Sequence, residues 1–194
     1  MDDASFNRGQ LVEDIVNHPE RGLASRHAAL NFRMARDPWH RDKAVITDES
    51  GSYSRFYFIL QSAEDLKRRR NLIALSTRLG GTVVPLIYEI GTDALFGLIE
   101  ATDKIDQDIG THYKERVMDF WRQARDHDYA LAVAQTDVKG NRSKRPAYQP
   151  DPDMYLPTVK RTPEGIVVRG AKVHTPVSIN ANWLGSTLRT RVMG

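Results

Sequence analysis

Apolar residues at Val117, Phe120, Trp121 and Ala124 recur at i, i+3, i+4 and i+7, while Lys114, Glu115, Arg116, Asp119 and Arg122 fall largely elsewhere. That spacing predicts an amphipathic helix beginning at Thr111 with one buried stripe, and it assigns Trp121 to core packing. Upstream, Ser62-Ala63-Glu64-Asp65 reads as a helix start. It offers a hydroxyl to cap free N–H groups, then acids that suit the positive end of the helix. This helix is expected to run to Gly80-Gly81, whose permissive backbone suits a C-cap. Another is expected from near Thr82, with Pro85 in its first turn and Gly91 bending or interrupting it before Ala94, Leu95, Phe96 and Leu98. Two short helices are expected at Gln10 to Asn17 and Ala24 to Arg36, the second closed by Asp37-Pro38 because a residue before proline avoids the helical region. Between Ala44 and Leu60 the pattern is an aromatic-rich, partly extended connection around Gly51.

The pattern changes near Val138. Residues 139–153 contain Gly140, Asn141, Pro146, Pro150 and Pro152 and read as loop. Met154 to Val159, a Thr162-Pro163-Glu164-Gly165 turn and Ile166 to Val168 then form a hairpin candidate. A short extended stretch follows at Lys172 to Thr175. The order implies an α+β chain: a mainly helical domain over 1–149 and the opening strands of a β-domain over 150–194. Two or three strands alone bury little apolar area. The sequence is therefore expected to stop inside an incomplete β-domain.

Of the 194 residues, 40% are hydrophobic and 27% charged, the balance of one large globular domain or two small ones. No run approaches the roughly 20 apolar residues of a membrane helix, and the acidic N-terminus lacks the pattern of a secretory signal. No membrane association and a cytoplasmic location are the expectations. Without cysteine, the chain offers no disulfide, thiolate zinc site, cysteine nucleophile or Cys-ligated iron–sulfur cluster. The net charge of +3 does not imply a nucleic-acid surface. Its densest basic run, Lys67 to Arg70, follows Glu64 and Asp65 and reads as a solvated helix face. That charge could still attract an anionic substrate or a cofactor phosphate. The six histidines show no paired-ligand spacing, so no metal site is expected. Nucleophile-elbow, Walker and dinucleotide-binding glycine motifs are absent from the sequence.

One polar segment stands apart: Gln135-Thr136-Asp137-Val138-Lys139-Gly140-Asn141-Arg142-Ser143. It places cations, small polar side chains and a permissive glycine just after a helix, a combination able to present N–H groups and positive charge to a phosphate or to a flavin edge. Together with DPDMYL and GIVVRGAKVHT, it resembles the signature region of the 4-hydroxyphenylacetate 3-hydroxylase and 4-hydroxybutyryl-CoA dehydratase superfamily. Ser62 to Arg69 is similar to that family's SxxDLxxR segment, and Asp106 to Tyr113 to its DxxYGTNY stretch. The similarity covers residues 20 to 184 approximately.

The resemblance implies FAD, reduced and supplied by a separate reductase, with Gln135, Thr136, Asp137, Lys139, Gly140, Asn141 and Arg142 lining the flavin. The family's flavin-touching threonine falls at Pro176 here, and the adjacent Thr175 is the substitute. Asn141 replaces a usual aspartate. The hydroxylases' arginine, tyrosine and histidine correspond to Ile90, Ala94 and Val133, and the dehydratases' two cysteines to Pro85 and Glu89. The implied function is that of a reduced-FAD-using aromatic monooxygenase, as oxygenase component or fragment. The alternatives are a cluster-free acyl-CoA dehydratase or isomerase relative, and a non-catalytic remnant or partner subunit. A phenolic or acyl-CoA substrate, a flavin reductase and a chain supplying the C-terminal domains are the implied partners.

Overall fold

The computed structural model describes residues 4–138, 140–151, 153–175 and 177–186, and these divide into two units. One runs up to Ala132 and includes Val177–Trp183; the other takes the chain from Val133 and again from Leu184. The first unit contains β1 (Ser5–Asn7), β2 (Gln10–Val12), α1 (Arg21–Ala28), α2 (Leu30–Arg36), α3 (Arg41–Ala44), β3 (Val45–Asp48), β4 (Gly51–Ser54), α4 (Ala63–Leu79), α5 (Glu89–Ile109) and α6 (Tyr113–Asp126). The chain crosses between units within β5 (Leu131–Ala134), and the second unit contains β6 (Thr136–Asp137), β7 (Thr158–Thr162), β8 (Gly165–Val168) and β9 (Lys172–Val173) before β10 (Trp183–Ser186). The fold is α+β, with antiparallel pairs β1–β2, β3–β4, β6–β9 and β7–β8. No helix among the described residues is long and apolar enough to cross a membrane.

Local chemistry sets the helix ends. Ser62 Oγ accepts the Asp65 amide at 3.1 Å and donates to its carboxylate at 2.7 Å, the reciprocal cap that starts α4. Asp106, near the end of α5, takes the Tyr113 and Lys114 amides at 2.8 Å and the Thr111 hydroxyl at 2.6 Å, so one carboxylate satisfies the first free donors of α6. Desolvation is the largest single influence and pulls its carboxyl up, but these bonds together outweigh it and hold the group below the ordinary carboxylate range.

The helical unit is built on burial. Trp121, Ala124, Tyr57, Tyr88, Leu72, Ile87 and Leu95 share its core, and the Trp121 indole N–H donates to the Tyr57 carbonyl at 2.9 Å. Arg69, 3% exposed, donates to the Phe56 and Glu89 carbonyls, to Thr92 Oγ1 and to Asp93 Oδ1, all at 2.7–3.0 Å. This arginine joins α4, the aromatic connection and α5 from inside, its charge met by several acceptors at once. Asn182 closes the unit, donating to the Ala130 carbonyl at 2.9 Å and accepting the Ala130 amide at 2.8 Å.

Two expected helices differ. Gln10 to Val12 is a strand, because Arg8 and Gly9 both take positive φ (52° and 81°) and turn the chain into a two-residue hairpin. The helix expected near Thr82 begins only at Glu89, since Thr82 and Leu86 also sit at positive φ. Gly91 does not interrupt it: a Cβ there would lie 2.2 Å from the Leu131 carbonyl oxygen, so the glycine lets α5 approach that backbone.

Candidate functional site

The segments singled out in the sequence have separate duties. The Ser62 to Arg69 and Asp106 to Tyr113 segments are structural: they cap helices and anchor the core. Of the signature segments of the second unit, the Gln135 segment and DPDMYL instead line a cleft of about 410 Å3, formed by Gln135, Thr136, Asp137, Val138, Gly140, Arg142 and Tyr155.

Pairing of β6 with β9 brings two of these segments together, with Thr136 opposite Val173 and Asp137 opposite Lys172. The Lys172 ammonium meets the Asp137 carboxylate at 2.5 Å and donates to the Gln135 carbonyl at 3.3 Å. Both side chains of the pair are buried, 7% and 6% exposed. Arg169 forks onto the Asp153 carboxylate at 2.7 and 3.1 Å, tying the GIVVRGAK strand to DPDMYL. Gly170 sits between these ties at φ 137°, where a Cβ would approach the Asp153 carbonyl oxygen to 2.8 Å. Each residue of the Arg-Gly-Ala-Lys run except Ala171 thus has a geometric task in bracing the cleft.

The loop itself is stapled from within by Gln149, which is 8% exposed. Its Oε1 accepts the Asn141 amide at 3.0 Å, and its Nε2 donates to the Asn141 and Lys144 carbonyls at 2.8 and 3.0 Å. Asn141 Oδ1 accepts the Ser143 amide and hydroxyl at 3.0 and 2.7 Å. The aspartate-to-asparagine exchange therefore keeps the acceptor this turn requires while removing its charge.

Of the residues expected at the site, Gln135, Thr136, Asp137, Gly140 and Arg142 line one cleft. Lys139 lies outside the described residues. Asn141 is not among the described lining residues and turns its side chain to Ser143. Thr175 follows β9 by two residues, close in sequence to Val173, the partner of Thr136, but it is not among the described lining residues either. Two contributors escaped the sequence reading. Tyr155 lines the cleft from the DPDMYL segment, whose sequence marks it only as part of a motif, and Gln149 carries no signal beyond lying in a proline-rich loop.

The helical unit places the remaining correspondences. Ile90 and Ala94 lie on α5, Ile90 being 45% exposed. Glu89 is buried, accepting the Asn31 side-chain amide at 3.2 Å and the Tyr88 amide at 3.1 Å. Beyond α6, Asp128 sits at φ 51°, and burial pushes its carboxyl above the ordinary range despite opposing help from Tyr88 and Arg36. The same burial, with Asp128 nearby, pushes the Tyr88 hydroxyl up.

The family model described as 4-hydroxyphenylacetate 3-hydroxylase N terminal matches residues 2–189. The chain belongs to this family. It is 31% identical over 179 residues to the 4-hydroxybutyryl-CoA dehydratase/vinylacetyl-CoA-Delta-isomerase of Clostridium aminobutyricum, covering 90% of this chain and 36% of that protein. Among solved structures it is similar to an oxygen-tolerant archaeal 4-hydroxybutyryl-CoA dehydratase from N. maritimus, with 30% identity and a TM-score of 0.86 over 95% of this chain and 37% of that one. It is also similar to the oxygenase component of 4-hydroxyphenylacetate 3-monooxygenase complexed with FAD, with 29% identity and a TM-score of 0.68, covering 86% of this chain and 34% of the other. The chain spans about a third of the length of these relatives.

Proposed function

We propose that the cleft of the second unit holds the flavin of a flavin-dependent enzyme, and that this chain contributes the loop and strand that grip one edge of the ring. The observation that carries this reading is the cleft itself, lined by the Gln135 segment and by Tyr155 of DPDMYL, with β9 pairing behind β6 to brace Thr136 and Asp137. The donor set suits FAD: Arg142 offers a cation, Gln135 an amide and Thr136 a hydroxyl to the polar edge of an isoalloxazine or to a phosphate. At about 410 Å3 the cleft is near the lower end of ligand-site volumes, the scale of a ring rather than of a whole dinucleotide.

Bound flavin would supply the redox chemistry, and the protein's part is to bind, orient and shield it. Arg142 neutralises negative charge at the cofactor. Tyr155 adds an aromatic side chain to the cleft wall. Lys172, through Asp137 and the Gln135 carbonyl, keeps the loop at its place beneath the ligand.

The reaction we assign first is hydroxylation of a phenolic substrate by an oxygenase component that receives reduced FAD from a separate reductase. It is the activity in the name of the matched family. A second reading, flavin chemistry on an acyl-CoA thioester without an iron–sulfur cluster, is favoured by the higher TM-score to the dehydratase, 0.86 against 0.68. In that reading Pro85 and Glu89 stand at the dehydratase cysteine positions. Both readings call on protein beyond the third of the relatives' length that this chain matches, in the same polypeptide or in a partner. Failing that, the chain acts as a non-catalytic subunit.

The test is a thermal-shift titration of the chain with oxidised FAD and, anaerobically, with reduced FAD. A ligand that binds only the folded state raises its melting temperature in a saturable way. The oxygenase reading expects the larger shift with the reduced form. Absence of any shift with either form would remove the proposal that this chain alone shapes the flavin edge.

A further inference from the structure

The helical unit contains a second cavity, about 350 Å3, lined by Asp42, Lys43, Arg55, Arg68, Asn71 and Leu72. None of these belongs to the flavin cleft. Asp42 and Lys43 come from α3, Arg55 from the turn after β4, and Arg68, Asn71 and Leu72 from α4. Three elements thus aim three cations and an amide at one space, against one carboxylate in the lining.

The geometry of Arg55 makes the charge local and fixed. Its Nε donates to the Lys43 carbonyl at 2.7 Å, and its Nη2 to the Asp42 and Val45 carbonyls at 3.1 and 3.3 Å. Carbonyl oxygens orient the guanidinium without neutralising it. Burial lowers the Arg55 pKa and the nearby Arg68 charge pushes it the same way, with Asp65 and Tyr53 opposing. Acids outside the lining offset part of this charge. Glu64 reaches Arg68 Nε only at 3.5 Å with both side chains more than half exposed. Asp65 accepts from Ser62 Oγ at 2.7 Å and the Gln61 amide at 3.3 Å at the α4 cap, and its charge also acts on Arg55 and Arg68. The Asn71 side-chain Oδ1 accepts from Arg70 at 2.9 Å, and Asn71 lines the cavity with its amide. Leu72, 2% exposed, gives the cavity an apolar floor where charge interactions are less screened.

We propose that this cavity binds the phosphate or diphosphate group of a small molecule. Three cations and one carboxylate line the space, a multiply charged oxyanion can meet several of these cations at once, and planar guanidinium groups match phosphate oxygens in pairs. The inference does not rest on the flavin reading.

The test uses the full chain with inorganic phosphate, pyrophosphate and ADP, each titrated by calorimetry at low and physiological ionic strength. Sodium chloride at matched ionic strength separates site binding from screening. Pyrophosphate is expected to bind saturably. The paired substitution Lys43→Ala and Arg68→Ala, both exposed and spared the structural bonds of Arg55, is expected to weaken binding by about tenfold or more, the loss of one or two charge-assisted hydrogen bonds. Asn71→Asp, which adds a carboxylate to the cavity, should abolish it. Arg78→Ala on the same helix, and Arg142→Ala in the flavin cleft, should change it less than about twofold. ADP binding tighter than pyrophosphate identifies a nucleotide as the source, and equal binding identifies the diphosphate alone. No saturable binding of any of the three, or equal loss in Arg78→Ala, would overturn the proposal.

Discussion

The two units hold themselves together by different means. In the helical unit the side chains of Tyr57, Tyr88, Leu72, Ala124 and Trp121 are at most 9% exposed, and its polar groups, such as Arg69, serve an apolar core. In the second unit Ile166, Val167 and Val168 of the β7–β8 hairpin are all 41–47% exposed, although their sequence reads as a strand with a face to bury. Its order comes from point-to-point ties: Lys172 to Asp137, Arg169 to Asp153, Gln149 to the loop backbone. Burial is non-directional and tolerates small shifts, whereas charge-assisted bonds fix atoms at set distances. A loop that must present N–H groups and one guanidinium to a ligand is better served by the second kind.

Four substitutions probe this contrast, the largest effect first. Trp121→Ala removes a buried ring and its hydrogen bond to Tyr57, and should cost about 3–5 kcal/mol in urea unfolding. Lys172→Ala should cost about 3 kcal/mol of local stability, because it removes the buried cation that meets the Asp137 carboxylate. Hydrogen exchange should localise that loss to residues near β6 and β9. The double change Lys172→Met with Asp137→Leu should recover most of it, and a failure to recover would mean the pair does more than satisfy itself.

A smaller, pH-dependent effect is expected at Asp128. Its folded pKa is raised, chiefly by desolvation, so the folded state holds its proton more tightly than the unfolded chain does. This group's contribution therefore falls as pH rises from about 4, the unfolded value, through the raised folded value, and its penalty persists above that. Asp128→Asn should accordingly stabilise the protein at neutral pH and lose that advantage near pH 4. Asparagine also tolerates the positive φ of 51°. Thermal melts of both proteins across pH check the sign, and a gain confined to acid pH would contradict it.

Much of the helical unit was legible because its signals are local. Ser62 and Asp65 announce the start of α4, and the Val117, Phe120, Trp121, Ala124 stripe announces α6. The β1–β2 hairpin was missed because its turn is Arg8-Gly9 rather than a familiar asparagine–glycine pair. The start of α5 was misplaced because nothing in the sequence marks Leu86 for a left-handed backbone. At the cleft, the Gln135 to Arg142 segment was visible by its chemistry and its family wording. Gln149 and Tyr155 were not, since their parts depend on folded-back loop geometry that no spacing encodes. The inward turn of Asn141 toward Ser143 was hidden for the same reason.

The central claim is that the cleft of the second unit grips a flavin through Arg142. It is tested most directly by titrating FAD against the parent chain, Arg142→Ala and His127→Ala, and comparing dissociation constants. His127 stacks on Tyr129 in the helical unit and does not line the cleft, so it reports any general cost of losing a surface side chain. Arg142→Ala is expected to weaken binding by about tenfold or more, the worth of a charge-assisted hydrogen bond, with His127→Ala close to the parent. Equal effects of the two substitutions would contradict the assignment.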